Sequence, residues 1–149
     1  ERNMQHQAAV RQLIENTENA FLDITLTDDN GINQSLSDLR GKIIVLDFSA
    51  IEMEQSSGYI FELRELYNQY HKRGLAIYSV SLDRNKLLWE DGVTNLPWTN
   101  VYAGDAATDV LTRYNVQSLP TLFLLDRKGN VQGRYTDFKK LDTDIQKYL

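Results

Sequence analysis

Few side chains in this sequence could do covalent or acid–base chemistry, and one class is missing outright. Its 149 residues contain no cysteine, so no thiolate is available to attack a disulfide, bridge to another cysteine or bind a soft metal. What remains is a serine near a helix start (Ser56), an acid inside an apolar strand (Asp47), a close pair of carboxylates (Glu52 and Glu54) and two histidines, His6 and His71. A serine becomes a nucleophile only beside a base. His71 follows Ser56 on the same helical stretch, which at about 1.5 Å per residue sets them roughly 22 Å apart, so serine catalysis is not expected. Glu52 and Glu54 stand at i, i+2, a spacing that does not make helical neighbours face one another. They read instead as negative charges favouring the positive end of the following helix. The histidines lie far apart without metal-ligand spacing and read as solvated surface residues, so no metal site is expected.

The elements that must carry these residues follow from periodicity. In residues 1–19, Val10, Leu13 and Ile14 recur at helical spacing and suggest a short amphipathic lead-in helix or linker. Leu22, Ile24 and Leu26 alternate up to Asp29-Asn30-Gly31, and the pattern resumes at Ile32, a β-hairpin signature. Asp28-Asp29-Asn30-Gly31 lacks the alternating ligands and closing Glu of a calcium loop and reads as the turn of that hairpin. After a short turn at 35–41, residues 42–49 form a strand. Ile60, Leu63, Leu66, Tyr67 and Tyr70 then mark an amphipathic helix closed by Gly74. A strand at 75–82 and a helix at 85–93 follow, giving a βαβ crossover and parallel central strands, and 98–102 reads as a short strand. A helix at 106–114, a hairpin of strands 121–126 and 131–136 around Arg127-Lys128-Gly129-Asn130, and a closing helix at 141–149 finish the chain. No internal repeat is visible.

Composition narrows the function classes. A content of 42% apolar and 25% charged residues is ordinary for one globular domain. A net charge of −5 without a basic stripe argues against nucleic acid. No run reaches the roughly 18–20 apolar residues of a membrane span. No phosphate-binding glycine loop occurs, and no cofactor is expected. The chain starts at Glu1 with no signal-peptide pattern and reads as a fragment or processed product.

Three local signatures carry a resemblance. Residues 36–50, LSDLRGKIIVLDFSA, resemble the approach to the central strand of the thioredoxin fold in its TlpA/ResA and AhpC/TSA-like (redoxin) branch. Asn115-Val116-Gln117-Ser118-Leu119-Pro120-Thr121 resembles that family's loop ending in a cis-proline, and Leu124-Leu125-Asp126-Arg127-Lys128-Gly129-Asn130-Val131 resembles its last hairpin. The resemblance spans about residues 18–149 and implies an α/β, thioredoxin-like three-layer sandwich over 20–149: a mixed sheet of four or five strands flanked by helices and preceded by the hairpin.

Carried over position by position, the family's W-C-x-x-C motif falls on Glu52, Met53, Glu54, Gln55 and Ser56, the attacking cysteine at Met53 and the resolving one at Ser56. The family's aromatic residues at Ser49 and Glu52 are absent too, a pattern of natural divergence rather than a two-site knockout. Asp47 matches the buried acid that serves as a proton relay to the resolving cysteine in some members; with that cysteine gone, it reads as an acid hydrogen-bonded to a neighbour or partly wet rather than as one retained with a pKa raised by burial. The resemblance further implies a binding surface of Met53, Glu54, Gln55, Ser56, Trp98, Leu119 and Pro120, with a polypeptide as partner. It also implies a bacterial periplasmic or envelope setting; the absence of both cysteines gives a domain without redox activity, polypeptide-binding or structural in role. The alternative is a thiol-disulfide oxidoreductase that uses cysteines outside this chain.

Overall fold

The computed structural model describes residues 22–149; the lead-in helix expected at 1–19, and His6 with it, lie outside the described residues. A β-hairpin comes first, β1 (Thr25–Asp28) and β2 (Asn33–Ser35), followed by a 3-10 turn at Leu36–Leu39. The strand β3 (Ile43–Ser49), the helix α1 (Ser56–Tyr70), β4 (Leu75–Ser81), α2 (Lys86–Val93) and β5 (Thr99–Tyr102) form two successive parallel crossovers. After α3 (Ala107–Arg113), the strands β6 (Thr121–Leu125) and β7 (Val131–Tyr135) and the helix α4 (Phe138–Ile145) close the fold.

Among the described residues all seven strands belong to one sheet, in the order β2-β1-β5-β4-β3-β6-β7. The N-terminal hairpin is therefore part of the sheet rather than a leading appendage: Thr27 pairs with Tyr102 and Asp28 with Val101, antiparallel. Left alone, β5 would present a bare row of backbone donors and acceptors, and β1 covers it.

β3 lies at the centre, and alternate residues along it feed two cores. Ile44, Leu46 and Phe48 point to the side that holds Tyr78, Val80, Phe123 and the α3 residue Val110. Ile43 and Val45 point to the side covered by α1 and α4 through Leu63, Leu66, Tyr70, Leu141 and Ile145. Every residue from Ile43 to Phe48 is buried, which is why this strand reads as a continuous apolar run broken only by Asp47.

The two hairpins share a construction that their turns did not reveal in isolation. In each, an Asp Oδ1 accepts from the backbone two and four residues on, Asp28 from Asn30 and Ile32, Asp126 from Lys128 and Asn130. In each, Oδ2 accepts from the side-chain amide of a Gln six residues on, Gln34 and Gln132. A left-handed glycine, Gly31 or Gly129, completes the turn.

Helix ends differ from the sequence reading where a cap decides them. The closing helix begins at Phe138, not 141, because Asp137 accepts from the Lys139 amide at 2.8 Å, and it ends at Ile145. The C-terminal turn of the long helix tightens into a 3-10 turn, His71–Arg73, before Gly74 turns left-handed at φ 104°. His71 is half-buried rather than solvated: its ring stacks on Tyr67 with centroids 4.5 Å apart, and Nδ1 donates to the Tyr67 carbonyl at 2.7 Å.

Candidate functional site

The chain leaves β3 at its carboxyl end, beside the point where the connections turn back across the sheet: β3 leads to β4 on one side, and β6 returns on the other. In open α/β sheets such a point leaves a crevice beyond the strand ends. Two loops meet there. The β3:β6 register runs from Ile44↔Leu125 to Phe48↔Thr121, so Pro120 and Leu119 continue alongside Ser49 and Ala50, at the root of the loop that carries Met53 and Ser56.

That loop is a tight reversal. The Met53 amide donates to the Ala50 carbonyl at 3.2 Å and the Ser56 amide to the Met53 carbonyl at 3.3 Å. Gln55 adopts a left-handed conformation at φ 63°, and Ser56 opens α1. Met53 is half-buried and packs against the α1/α4 core, while Glu54 and Gln55 are exposed. Across the crevice the Leu119–Pro120 peptide is cis, Leu119 is exposed and Pro120 half-buried. The Thr121 hydroxyl donates to the Ser118 carbonyl at 2.7 Å and braces this second loop.

Trp98 does not join them on the surface. It is buried in the α1-side core, its ring tilted against Tyr67, and its indole N–H donates to the Ser79 hydroxyl at 3.1 Å. A Trp at the start of a strand gains more by burying its apolar body and satisfying its one donor than by lining a rim.

Behind the loop, Asp47 is 1% exposed. It is hydrogen-bonded, as expected, but not wet: the Tyr59 hydroxyl donates to Oδ1, Ser49 donates to Oδ2 at 3.0 Å, and Ser79 contributes a third bond. Burial raises the carboxyl from its ordinary 3.8 to about 6, and these three hydrogen bonds only partly offset that rise. The same burial, with the neighbouring carboxylate, pushes the Tyr59 phenol well above its usual range. A polar string thus runs inside the apolar core from Trp98 through Ser79 and Asp47 to Tyr59.

Tyr59 was not singled out by sequence reasoning, although it heads the buried stripe Tyr59, Leu63, Leu66, Tyr70 at spacings of four, three and four. Asp83, 3% exposed just past β4, was missed as well. Glu52 corrects another expectation: it does not serve the start of α1, because Oε1 accepts from the amides of Arg84 and Asn85 at 3.0 and 2.7 Å, at the threshold of α2.

Chemically, the loop offers a thioether and an alcohol where disulfide exchange needs two thiols. Asp47 has both oxygens occupied within the core. The site can present shape, apolar surface and backbone groups, and neither Met53 nor Ser56 supplies the thiol that disulfide exchange requires.

The arrangement defines a class: an α/β sandwich whose central strand delivers a reversed loop and a long helix facing a cis-proline loop. A family model described as thioredoxin-like matches residues 41–131, more than half of the sequence. The chain belongs to the thioredoxin-like family. It is 34% identical over 127 residues to the thiol-disulfide oxidoreductase ResA of Geobacillus kaustophilus, covering 85% of this chain and 72% of that protein. Among solved structures, it resembles a thioredoxin-like protein from Bacteroides vulgatus with a TM-score of 0.77 and 38% identity, over 85% of this chain and 84% of the other. It also resembles the thioredoxin domain of a thiol-disulfide oxidoreductase from the same organism, with a TM-score of 0.78 and 27% identity, over 85% and 93% of the two chains. No helix among the described residues is long and apolar enough to cross a membrane.

Proposed function

We propose that residues 20–149 form a redox-inactive thioredoxin-like domain that captures an extended polypeptide segment in the crevice between residues 53–56 and the Leu119–Pro120 loop. The observation that carries this reading is the pairing of a lost sulfur chemistry with a retained geometry. Met53 and Ser56 stand in a strand–loop–helix reversal, and the β3:β6 register sets the cis-proline loop beside the root of that reversal. Met53 and Leu119 supply adaptable apolar contact, and Glu54, Gln55 and Ser56 supply polar atoms at its rim. Relatives named as thiol-disulfide oxidoreductases act on thiols and disulfides by name, and on this reading a scaffold of that kind without thiols keeps recognition and loses exchange. An extracytoplasmic, envelope-associated setting in a bacterium belongs to the same proposal and rests on the family resemblance.

A peptide-display selection on the purified protein tests the reading. It is supported if enriched peptides lose about tenfold or more in affinity with Met53→Glu or Leu119→Ala while melting temperature stays close to the parent's. Enriched peptides indifferent to both substitutions place binding elsewhere and reject this surface. A dithiol assay on the same protein covers the catalytic side: turnover of a disulfide substrate above the buffer rate contradicts redox inactivity.

A further inference from the structure

The loop after β3 and the loop after β4 hold one another through two carboxylates that point in opposite directions. Asp83, at the end of β4, accepts from the Ile51 amide through Oδ2 at 3.0 Å and from the Glu52 amide through Oδ1 at 2.9 Å. Glu52, at the root of the β3 loop, sends its own side chain back to accept from the Arg84 and Asn85 amides. Four loop N–H groups that no strand or helix ladder serves are thereby satisfied by two side chains, each anchored on the other's loop. The assembly is tied further on the β4 side. The Ser81 hydroxyl donates to Asp83, the Asp83 amide donates to Ser81 Oγ at 3.0 Å, and Asn85 caps α2 by accepting from the Leu88 amide at 3.1 Å. On the β3 side, Ile51 packs so closely on Gly92 of α2 that a Cβ there would come within 3.3 Å of it.

We propose that Glu52 and Asp83 form a reciprocal clamp that presets the loop at residues 53–56 for its polypeptide partner, so that both are positioning residues of the binding surface. This rests on the polypeptide-binding reading above. A four-residue reversal containing a left-handed Gln55 holds one shape only if its ends are fixed. The clamp fixes the end that α1 does not. A loop ordered in advance loses less conformational freedom when a partner arrives, which raises affinity without adding a contact. Glu52 occupies the position where the family resemblance implies an aromatic residue. At the residue next to the lost cysteine, the chain therefore carries two backbone hydrogen bonds in place of a ring contact.

Amide hydrogen exchange measured by NMR on Glu52→Ala and Glu52→Gln tests the clamp. Glu52 is exposed, so neither change empties a core site, and unaltered protection of the β3 and β4 amides reports an intact fold. In Glu52→Ala, exchange is expected to quicken by about tenfold or more at Arg84 and Asn85 and also at residues 51 and 52, whose amides bond to Asp83 and not to Glu52. Glu52→Gln keeps an acceptor oxygen and should stay within about threefold of the parent. If residues 51 and 52 keep full protection in Glu52→Ala, the two carboxylates act independently and the clamp is refuted. For the positioning role, a display-selected peptide should bind Glu52→Ala about tenfold more weakly and Glu52→Gln like the parent; equal affinity for Glu52→Ala overturns it. A selection that yields no peptide dependent on Met53 or Leu119 defeats the binding reading itself, and with it the positioning role, while the exchange data still decide the clamp.

Discussion

Replacing Asp47 by Asn should stabilise the protein at neutral pH, by an amount that shrinks as pH falls and vanishes below about 3.8. Burial holds the Asp47 carboxyl at about 6, against 3.8 when exposed. Because the folded pKa lies above the unfolded one, the folded state grips the proton more tightly. The group's contribution is fully present below about pH 3.8 and is lost as pH rises through about 6. A difference of about 2 pKa units at about 1.4 kcal/mol each amounts to roughly 3 kcal/mol, a large share of the approximately 5–15 kcal/mol that a domain has to spare. Between about pH 4.5 and 7.5 the linkage relation gives a loss of about 2 kcal/mol from this residue alone. Asp28 and Asp144 shift the other way; their contributions are present above about 3.8 and fall away only in stronger acid. Asn keeps the shape, its Oδ1 accepts from Tyr59, and its amide donates to a serine hydroxyl that turns to accept. Urea unfolding followed by the fluorescence of Trp89 and Trp98, at pH values across that window, should show the parent losing about 2 kcal/mol more than Asp47→Asn as pH rises. Parallel profiles for the two proteins would refute the claim that Asp47 carries a buried, displaced titration.

Restoring sulfur is a direct test of how much of the ancestral geometry survives. The Ser56-to-Met53 backbone bond closes a four-residue turn, whose ends lie within about 7 Å between Cα atoms, the outer limit for a disulfide. Met53→Cys with Ser56→Cys should therefore form an intramolecular disulfide and reduce a disulfide substrate with a dithiol donor, while either single change should not; a double variant that stays as two thiols under oxidising glutathione rejects this. Gly74→Ala should cost roughly 1–3 kcal/mol by chemical denaturation. The position is left-handed, and the added Cβ would lie 2.7 Å from the Arg127 guanidinium, which also bonds the Gly41 and Arg73 carbonyls. A change below about 0.5 kcal/mol would show that Arg127 moves freely.

What could be read from the sequence was what local pattern encodes. The apolar run of β3, the 3.6-residue stripe of α1, the Asp-x-x-Gly turns and the proline loop each announce themselves over a few residues. Most of the misses depend on partners distant along the chain. Glu52 finds its amides 32 and 33 residues away, so nothing near it distinguishes a clamp from a surface charge. Asp83 looks like any acid after a strand, and its burial comes from the β3 loop that folds over it. The family resemblance puts Trp98 in the binding surface, yet the donor-matching Ser79 lies on the neighbouring strand, where sequence spacing gives no hint of it. The start of α4 is a different matter: Asp137 ahead of a helical stripe is a legible cap that the apolar spacing of Leu141 and Ile145 outweighed.

The loss of both sulfurs is compatible with an intact fold because neither position carries the fold. The buried residues of both cores come from the sheet and the packed faces of the helices, and neither Met53 nor Ser56 is among them. Reactivity and stability are separable at the end of β3, so the chemistry can go while the crevice stays. The size of that crevice sets the kind of binding to expect. The loop residues 53–56 with Leu119 and Pro120 make six contact positions, against about 20–30 residues a side in a standard stable interface. Leu87 and Leu88 are exposed on the first turn of α2, just beyond the amides that Glu52 bonds. On the binding reading proposed above, so few positions would take one strand-length segment and give weak, roughly micromolar capture on their own. It becomes effective only where the segment is held nearby, as in a tethered assembly in which local concentration reaches the millimolar range. A selected peptide fused to the C-terminus through a flexible linker should therefore protect the loop amides far more than the same peptide added free at micromolar concentration; equal protection would mean that the site binds tightly by itself and is larger than these residues.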